Sequence, residues 1–185
     1  LNFVRFAHQN GVDAVLIQDL GMYDLIHQKF PDLEIHASTQ MHIHNVEGAL
    51  VAKKLGFKRI VLARETDIDT IKEIKEKTGL DVEVFVHGSL CVSYSGQCLF
   101  SSLVGGRSGN RGACAGSCRL PYELVGKDNE VLNKDKKYPL SMKDLCAISS
   151  IGKLIDIGVN SFKIEGRMKS KEYVYLVTKL YRKAI

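Results

Sequence analysis

The sequence predicts an α/β fold, an incomplete (β/α) barrel of TIM type with about six strands, and three observations lead there. A phrase recurs along the 185 residues: a helical stretch, a Gly, a short β-branched run, then a polar residue. Amphipathic helical stretches separate these runs, an alternation that argues for βαβ units and a parallel sheet. Polar residues gather where the runs end, the edge at which parallel α/β folds place their chemistry.

In chain order, the first run is Gly11-Val12-Asp13-Ala14-Val15-Leu16-Ile17, ending at Gln18-Asp19, and the second is Leu33 to Ala37, followed by Ser38, Thr39 and Gln40. A helix over 45–55 places Val46, Ala49, Leu50 and Ala52 on one side. The third run, Gly56 to Leu62, leads to Arg64 and Glu65, with Gly the residue that most easily ends the preceding helix. Thr66-Asp67 caps a helix over 68–77, with Ile68, Ile71 and Ile74 as its apolar positions. Val82 to Val86 is the fourth run and ends at His87. A weaker strand is expected near Leu140, and Ser141 with Asp144 is expected to open a helix toward Leu154. The last run, Gly158 to Ile164, meets Glu165 and Arg167, and a final helix covers 172–184.

Residues 89–137 break the rhythm, with no helical period and much Gly, Ser and Arg. So long an irregular stretch inside a compact domain is usually functional or disordered, and four of the five cysteines within it argue against disorder. The expectation is one domain over 1–185, with 89–137 an insertion on the C-terminal face of the sheet.

Composition narrows the classes. Hydrophobic residues make up 45% and charged residues 25%, the profile of a globular domain rather than a disordered or collagen-like chain. No apolar run approaches a transmembrane span, and Leu1-Asn2-Phe3-Val4-Arg5 is no secretory leader. Without an initiator Met, the chain reads as a piece of something longer. Five cysteines, odd in number, do not make a disulfide scaffold, so a reducing, cytoplasmic setting is expected. The net charge is +5, and residues 163–185 alone hold seven Lys or Arg against two Glu. Such a stripe suits phosphate or nucleic acid, or is a solvated helix face.

The cysteines read Cys91-x6-Cys98, then Cys114-x3-Cys118, then Cys146. Buried small hydrophobes are one reading, weakened by the Gly/Ser-rich surroundings. Zinc prefers short C-x-x-C pairs, whereas iron–sulfur clusters accept four thiolates at more varied spacing. Arg107, Arg111 and Arg119 would offset a cluster's negative charge and lower thiol pKa values, so the chemistry leans to a cluster. A catalytic cysteine paired with His36, His42, His44 or His87 is the third option.

The stretch from Glu83 to Ser101, with His87-Gly88-Ser89-Leu90-Cys91 and Tyr94-Ser95-Gly96-Gln97-Cys98 at its centre, resembles the signature of the collagenase-like peptidase family, unclassified-peptidase family thirty-two. The likeness extends through His36 to Met41, Leu62 to Glu65, Gly105 to Tyr122 and Lys163 to Arg167; Phe100 stands where an aliphatic residue is expected. The resemblance implies a (β/α) barrel that this chain enters after its first two strands. It implies oxygen-independent hydroxylation of a tRNA wobble uridine, a ribosomal RNA cytidine or the ubiquinone ring, or partnership in it. For the RNA-acting members it implies a 4Fe-4S cluster and prephenate as co-substrate. By motif position, Cys91, Cys98, Cys114 and Cys146 match cluster ligands, with Cys118 the rival for the fourth place. The phrase Gly105 to Cys114 looks closest to the ribosomal RNA branch.

The expected pocket is therefore lined by Arg64, Glu65, His87, Glu165 and Arg167, with an arginine gripping a small anionic co-substrate and the last helix holding RNA. Two alternatives stand beside it: a collagenase-like peptidase, and a non-catalytic protein partner in a hydroxylase complex. No zinc-protease motif and no ordered Ser, His and Asp signature supports proteolysis.

Overall fold

The computed structural model describes residues 1–167 and 169–185. Strands β1 (Ala14–Ile17), β2 (Glu34–Ala37), β3 (Arg59–Val61), β4 (Asp81–Ser89), β5 (Asp144–Cys146) and β6 (Ser161–Glu165) form one six-stranded sheet. Helices α1 (Asn2–Gln9), α2 (Leu20–Lys29), α3 (Val46–Leu55), α4 (Ile68–Thr78), α5 (Phe100–Gly105), α6 (Ile151–Asp156) and α7 (Lys171–Ala184) accompany it. β1, β2, β3 and β4 pair in parallel and in sequence order, and β6 joins β4 in parallel. Among the described residues no pairing joins β1 to β6, so the sheet is open rather than a closed ring.

Local chemistry sets the helix limits. Asn45 accepts a hydrogen bond from the Gly48 N–H at 2.9 Å, and Asp67 accepts one from Thr70 at 2.9 Å, each meeting an N-terminal donor that the helix itself leaves free. Val46, Ala49 and Ala52 of α3 are buried, whereas Leu50 lies beyond the buried stripe and stays exposed. Ile71 and Ile74 of α4 pack with Ile60, Val82 and Val84 in the core. Ile151 and Leu154 of α6, and Val177 and Tyr181 of α7, extend the same core.

The expected helix from Ser141 is not formed. Asp144 begins β5, which runs antiparallel to the end of β4 with Ser89 opposite Asp144 and His87 opposite Cys146. The Asp144 carboxylate, read as a cap, instead takes the Lys169 ammonium at 2.6 Å. Tertiary pairing overrides the capping signal, and helix α6 begins only at Ile151. The connection between β4 and β5 is not wholly without helix either, since α5 lies within it.

One irregularity decides what faces the site. Glu83, Val84 and Phe85 of β4 stand opposite Ser161, Phe162 and Lys163, but His87 stands opposite Ile164 and Gly88 opposite Glu165. Val86 is therefore the extra residue of a β-bulge, and the alternation of side chains reverses beyond it. Glu83, Phe85, Ser161, Lys163 and Glu165 share one face, and His87 falls on the other. Gly88 is required here: its φ is +101°, and a Cβ would collide with the Glu165 carbonyl oxygen.

Candidate active site

Four of the five expected pocket residues come together at the C-terminal end of the parallel strands. Arg64, just past β3, lays its guanidinium over the Phe85 ring at 4.1 Å, with Nη2 3.7 Å from Glu165 Oε2. Its side chain is 16% exposed, and its Nε is buried with no hydrogen-bond partner. Lys163 approaches the same ring at 5.4 Å and is held by Glu83 at 2.9 Å, which also accepts from the Ser161 hydroxyl at 2.9 Å. The result is a half-buried charged layer in which Arg64 retains unspent donor capacity.

Glu65 has a different role. Its carboxylate accepts the Ser95 N–H and the Ser95 hydroxyl, each at 2.9 Å, and lies 3.1 Å from His42 Nε2. Burial alone would raise its pKa, but the Ser95 hydrogen bonds and His42 outweigh that and hold it below the usual 4.5. Ser95 is 2% exposed and its hydroxyl oxygen also accepts the Arg64 N–H at 3.1 Å. The arm between Cys91 and Cys98 is thereby tied to the end of β3. Gly96 presses so closely on Gln40 that a Cβ would strike its carbonyl oxygen, and φ there is +78°.

Further tethers fasten the rest of the connection. Arg167 Nη1 donates to the Gly112 carbonyl at 2.6 Å, and its N–H to Glu165 at 3.4 Å. Gln40 donates to the Gly109 carbonyl at 3.3 Å, and Asn110 to that of Gly96 at 2.9 Å. Arg119 reaches the Leu90 carbonyl at 2.6 Å, the Ser141 hydroxyl at 2.9 Å and the Met142 carbonyl.

His87 stands apart. On the far side of the bulge, its Nδ1 lies 3.2 Å from the Tyr181 hydroxyl, and the Tyr173 ring lies 5.9 Å away. The Tyr181 hydroxyl donates to the Val86 carbonyl at 2.7 Å and is pushed up to about 12, chiefly by burial with the Cys146 thiol adding to it. Cys146, opposite His87, therefore sits in the same aromatic corner under α7.

All five cysteines are free. Burial raises the Cys118 thiol; Arg119 opposes this, and Cys91 and Cys114 add to it, so these three thiols share one field. The expected lowering by arginine is thus outweighed at Cys118. Cys114 Sγ accepts the Gly116 N–H at 3.3 Å. By donor type the set suits a thiolate-held group. Among the described residues, however, no three His, Cys, Asp or Glu side chains are gathered to hold a metal ion. The β4–β5 pairing carries Cys146 to the same end of the sheet as Cys91.

The basic stripe divides. Lys163, Arg167 and Lys169 are engaged by Glu83, the Gly112 carbonyl and Asp144, while Lys171, Lys179, Arg182 and Lys183 remain exposed along α7. Sequence reasoning missed Ser95, Glu83, Phe85 and Tyr94 as site residues. The signal for Ser95 was its place beside Gly96 inside the Cys-x6-Cys spacing.

A family model described as Peptidase family U32 matches residues 1–185. The chain belongs to Peptidase family U32. Within the family it is 47% identical over 178 residues to the 23S rRNA 5-hydroxycytidine C2501 synthase of Escherichia coli (strain K12), covering 96% of this chain and 27% of that protein. It is 41% identical over 189 residues to the tRNA hydroxylation protein P1 of Bacillus subtilis (strain 168), covering 100% of this chain and 45% of that protein. The chain thus spans less than half the length of either relative. Among solved structures, that of the U32 peptidase Mk0906 matches with a TM-score of 0.52 at 13% identity, covering 91% of this chain and 61% of that one. At that identity the likeness is one of fold, a mixed α/β sheet common to both.

Proposed function

We propose that the protein serves iron–sulfur-dependent, oxygen-independent hydroxylation of RNA, on a ribosomal cytidine or a tRNA wobble uridine, in the cytoplasm. The reading takes the open sheet as an arc of a (β/α) barrel with the Cys-rich insertion over its C-terminal face. The observation that carries it is the joining of the thiol-bearing connection, through Ser95, directly to Glu65 and the backbone of Arg64. The names of the two U32 relatives above supply the substrate class.

Cys91, Cys98 and Cys114 would hold a 4Fe-4S cluster, with Cys146 or Cys118 as the fourth ligand. Such a cluster supplies electron transfer when bound. Arg64, backed by Phe85 and steered by Glu165, would bind the carboxylate of a small anionic co-substrate such as prephenate, for which a planar fork is the suitable donor. Arg167 is already spent on Gly112 and positions the connection. The exposed lysines of α7 and the exposed Tyr175 would meet the RNA backbone. Among the described residues no helix is long and apolar enough to cross a membrane. The peptidase reading finds less support, because among the described residues no serine or cysteine is hydrogen-bonded to a histidine: Ser95 donates to Glu65 and His87 meets Tyr181.

Anaerobic purification with iron and sulfide analysis tests the reading, together with mass spectrometry of nucleosides from cells with and without the protein. The expected result is about four irons per chain and a hydroxylated pyrimidine that disappears with the gene. Cys98→Ser should abolish both, and comparison of Cys118→Ser with Cys146→Ser identifies the fourth ligand. Iron-free protein that still supports the modification would overturn the cluster. Peptide cleavage surviving the loss of all five cysteines would favour a peptidase.

A further inference from the structure

We infer that the hollow beside the Cys91–Cys98 arm is a stacking subsite for one base of single-stranded RNA, with Tyr94, His42 and His44 as its aromatic walls. The inference deepens the RNA reading and rests on it. The hollow measures about 680 Å³ and opens at the strand-end edge, a volume in the range of small-molecule sites. The His42 and His44 rings stack with centroids 4.5 Å apart, and the Tyr94 ring lies 5.8 Å from His42.

The two imidazoles are fixed in advance. His42 Nε2 meets Glu65 at 3.1 Å and Nδ1 faces the Gln97 amide at 3.5 Å, while His44 Nδ1 lies 2.8 Å from the His42 carbonyl oxygen. His42 also holds a left-handed backbone, φ +57°, a conformation that tends to persist where function requires it. Tyr94 is 68% exposed, so one large aromatic face is presented to solvent beside the pinned imidazoles. Preorganised aromatic faces are how proteins take unstacked bases out of single strands.

The charges select the ring over the backbone. Glu65 and Asp67 both line the hollow and repel a phosphodiester, so an uncharged base enters while its phosphates stay outside. Thr66 and Thr70 complete the same wall beside the carboxylates. Tyr94 belongs to the arm between Cys91 and Cys98, so the stacked base is held by the same arm that carries two of the thiols, which makes the hollow a candidate determinant of sequence context.

The chain contains no Trp, so Tyr94→Trp introduces a single indole reporter. The full chain is titrated with a short end-labelled single-stranded RNA, with anisotropy reporting binding and indole emission reporting stacking. Emission should be quenched in step with binding, Tyr94→Phe should bind as the parent does, and Tyr94→Leu should bind roughly tenfold more weakly with an unchanged melting temperature. RNA that binds without quenching, and equally well to Tyr94→Leu, overturns the subsite and leaves the RNA reading standing. If no variant binds RNA even at low salt, the RNA reading falls and the subsite with it.

Discussion

The sheet and the connection that crosses its end are built on different principles. In β2, β3 and β4 the core side chains are almost wholly buried against α3, α4 and α6, and apolar burial dominates. In the β4–β5 connection the large apolar residues Leu99, Leu103, Val104 and Leu120 are exposed, and polar tethers do the holding: Ser95 to Glu65, Arg167 to Gly112, Arg119 to Leu90. A region held by burial resists local insult until it unfolds cooperatively. A region held by a few hydrogen bonds opens locally at lower cost.

Two glycines test that contrast with the same substitution. Gly88→Ala drives a Cβ into the Glu165 carbonyl inside the sheet at φ +101°, and should cost about 3 kcal/mol, seen as a fall of several degrees in melting temperature and a lower denaturant midpoint. Gly96→Ala makes an equivalent collision with Gln40, but in the connection. It should leave the global melting temperature within about 2 °C of the parent while proteolysis and hydrogen exchange between 91 and 118 accelerate. Equal losses of melting temperature in the two variants would show that connection and sheet unfold as one unit.

A smaller effect is expected from pH. The Glu65 pKa is lowered in the folded protein, so its tether is at full strength above the usual 4.5 and is lost as pH falls through the lower folded value. The protection factor of the Ser95 amide, the exchange rate of the unstructured chain divided by its own at the same pH, should therefore fall below pH 4.5 in the parent protein. Glu65→Gln should show faster exchange at neutral pH, by about 1 kcal/mol in opening free energy, and no such acid limb. The smallest change is Arg167→Lys, which keeps the charge but shortens the reach to Gly112. It should loosen the connection by under about 1 kcal/mol and leave binding of a small dicarboxylate unaltered, whereas Arg64→Lys should weaken that binding severalfold.

The parallel strands were readable as short apolar runs, those of β1, β3 and β6 led by a Gly, and α3 and α4 by their apolar periods, with a cap at Asp67 for α4. Four strand-end charges, Arg64, Glu65, Glu165 and Arg167, were likewise readable by position. Their division of labour was not: that Glu65 and Arg167 serve the connection depends on Ser95 and Gly112, which approach from 30 and 55 residues away. His87 shows the other limit. Its place in the sequence is that of a strand-end pocket residue, yet the bulge at Val86 turns it to the opposite face. Neither a bulge nor the antiparallel strand at Asp144 leaves a periodic trace.

Arg119 gives the connection a property that bears on how such a chain diversifies. One guanidinium clasps the exit from β4 at Leu90 and the approach to β5 at Ser141 and Met142, and Ser89 pairs with Asp144 directly beside it. The neck of the loop is closed there whatever length of chain lies beyond. Once a neck is closed, doubling the enclosed chain adds only about 0.6 kcal/mol of closure entropy. Residues 123–137, which lie between Arg119 and Ser141, are thus free to lengthen, shorten or be exchanged as a cassette. New surface can be grown over the site without retuning the sheet beneath it.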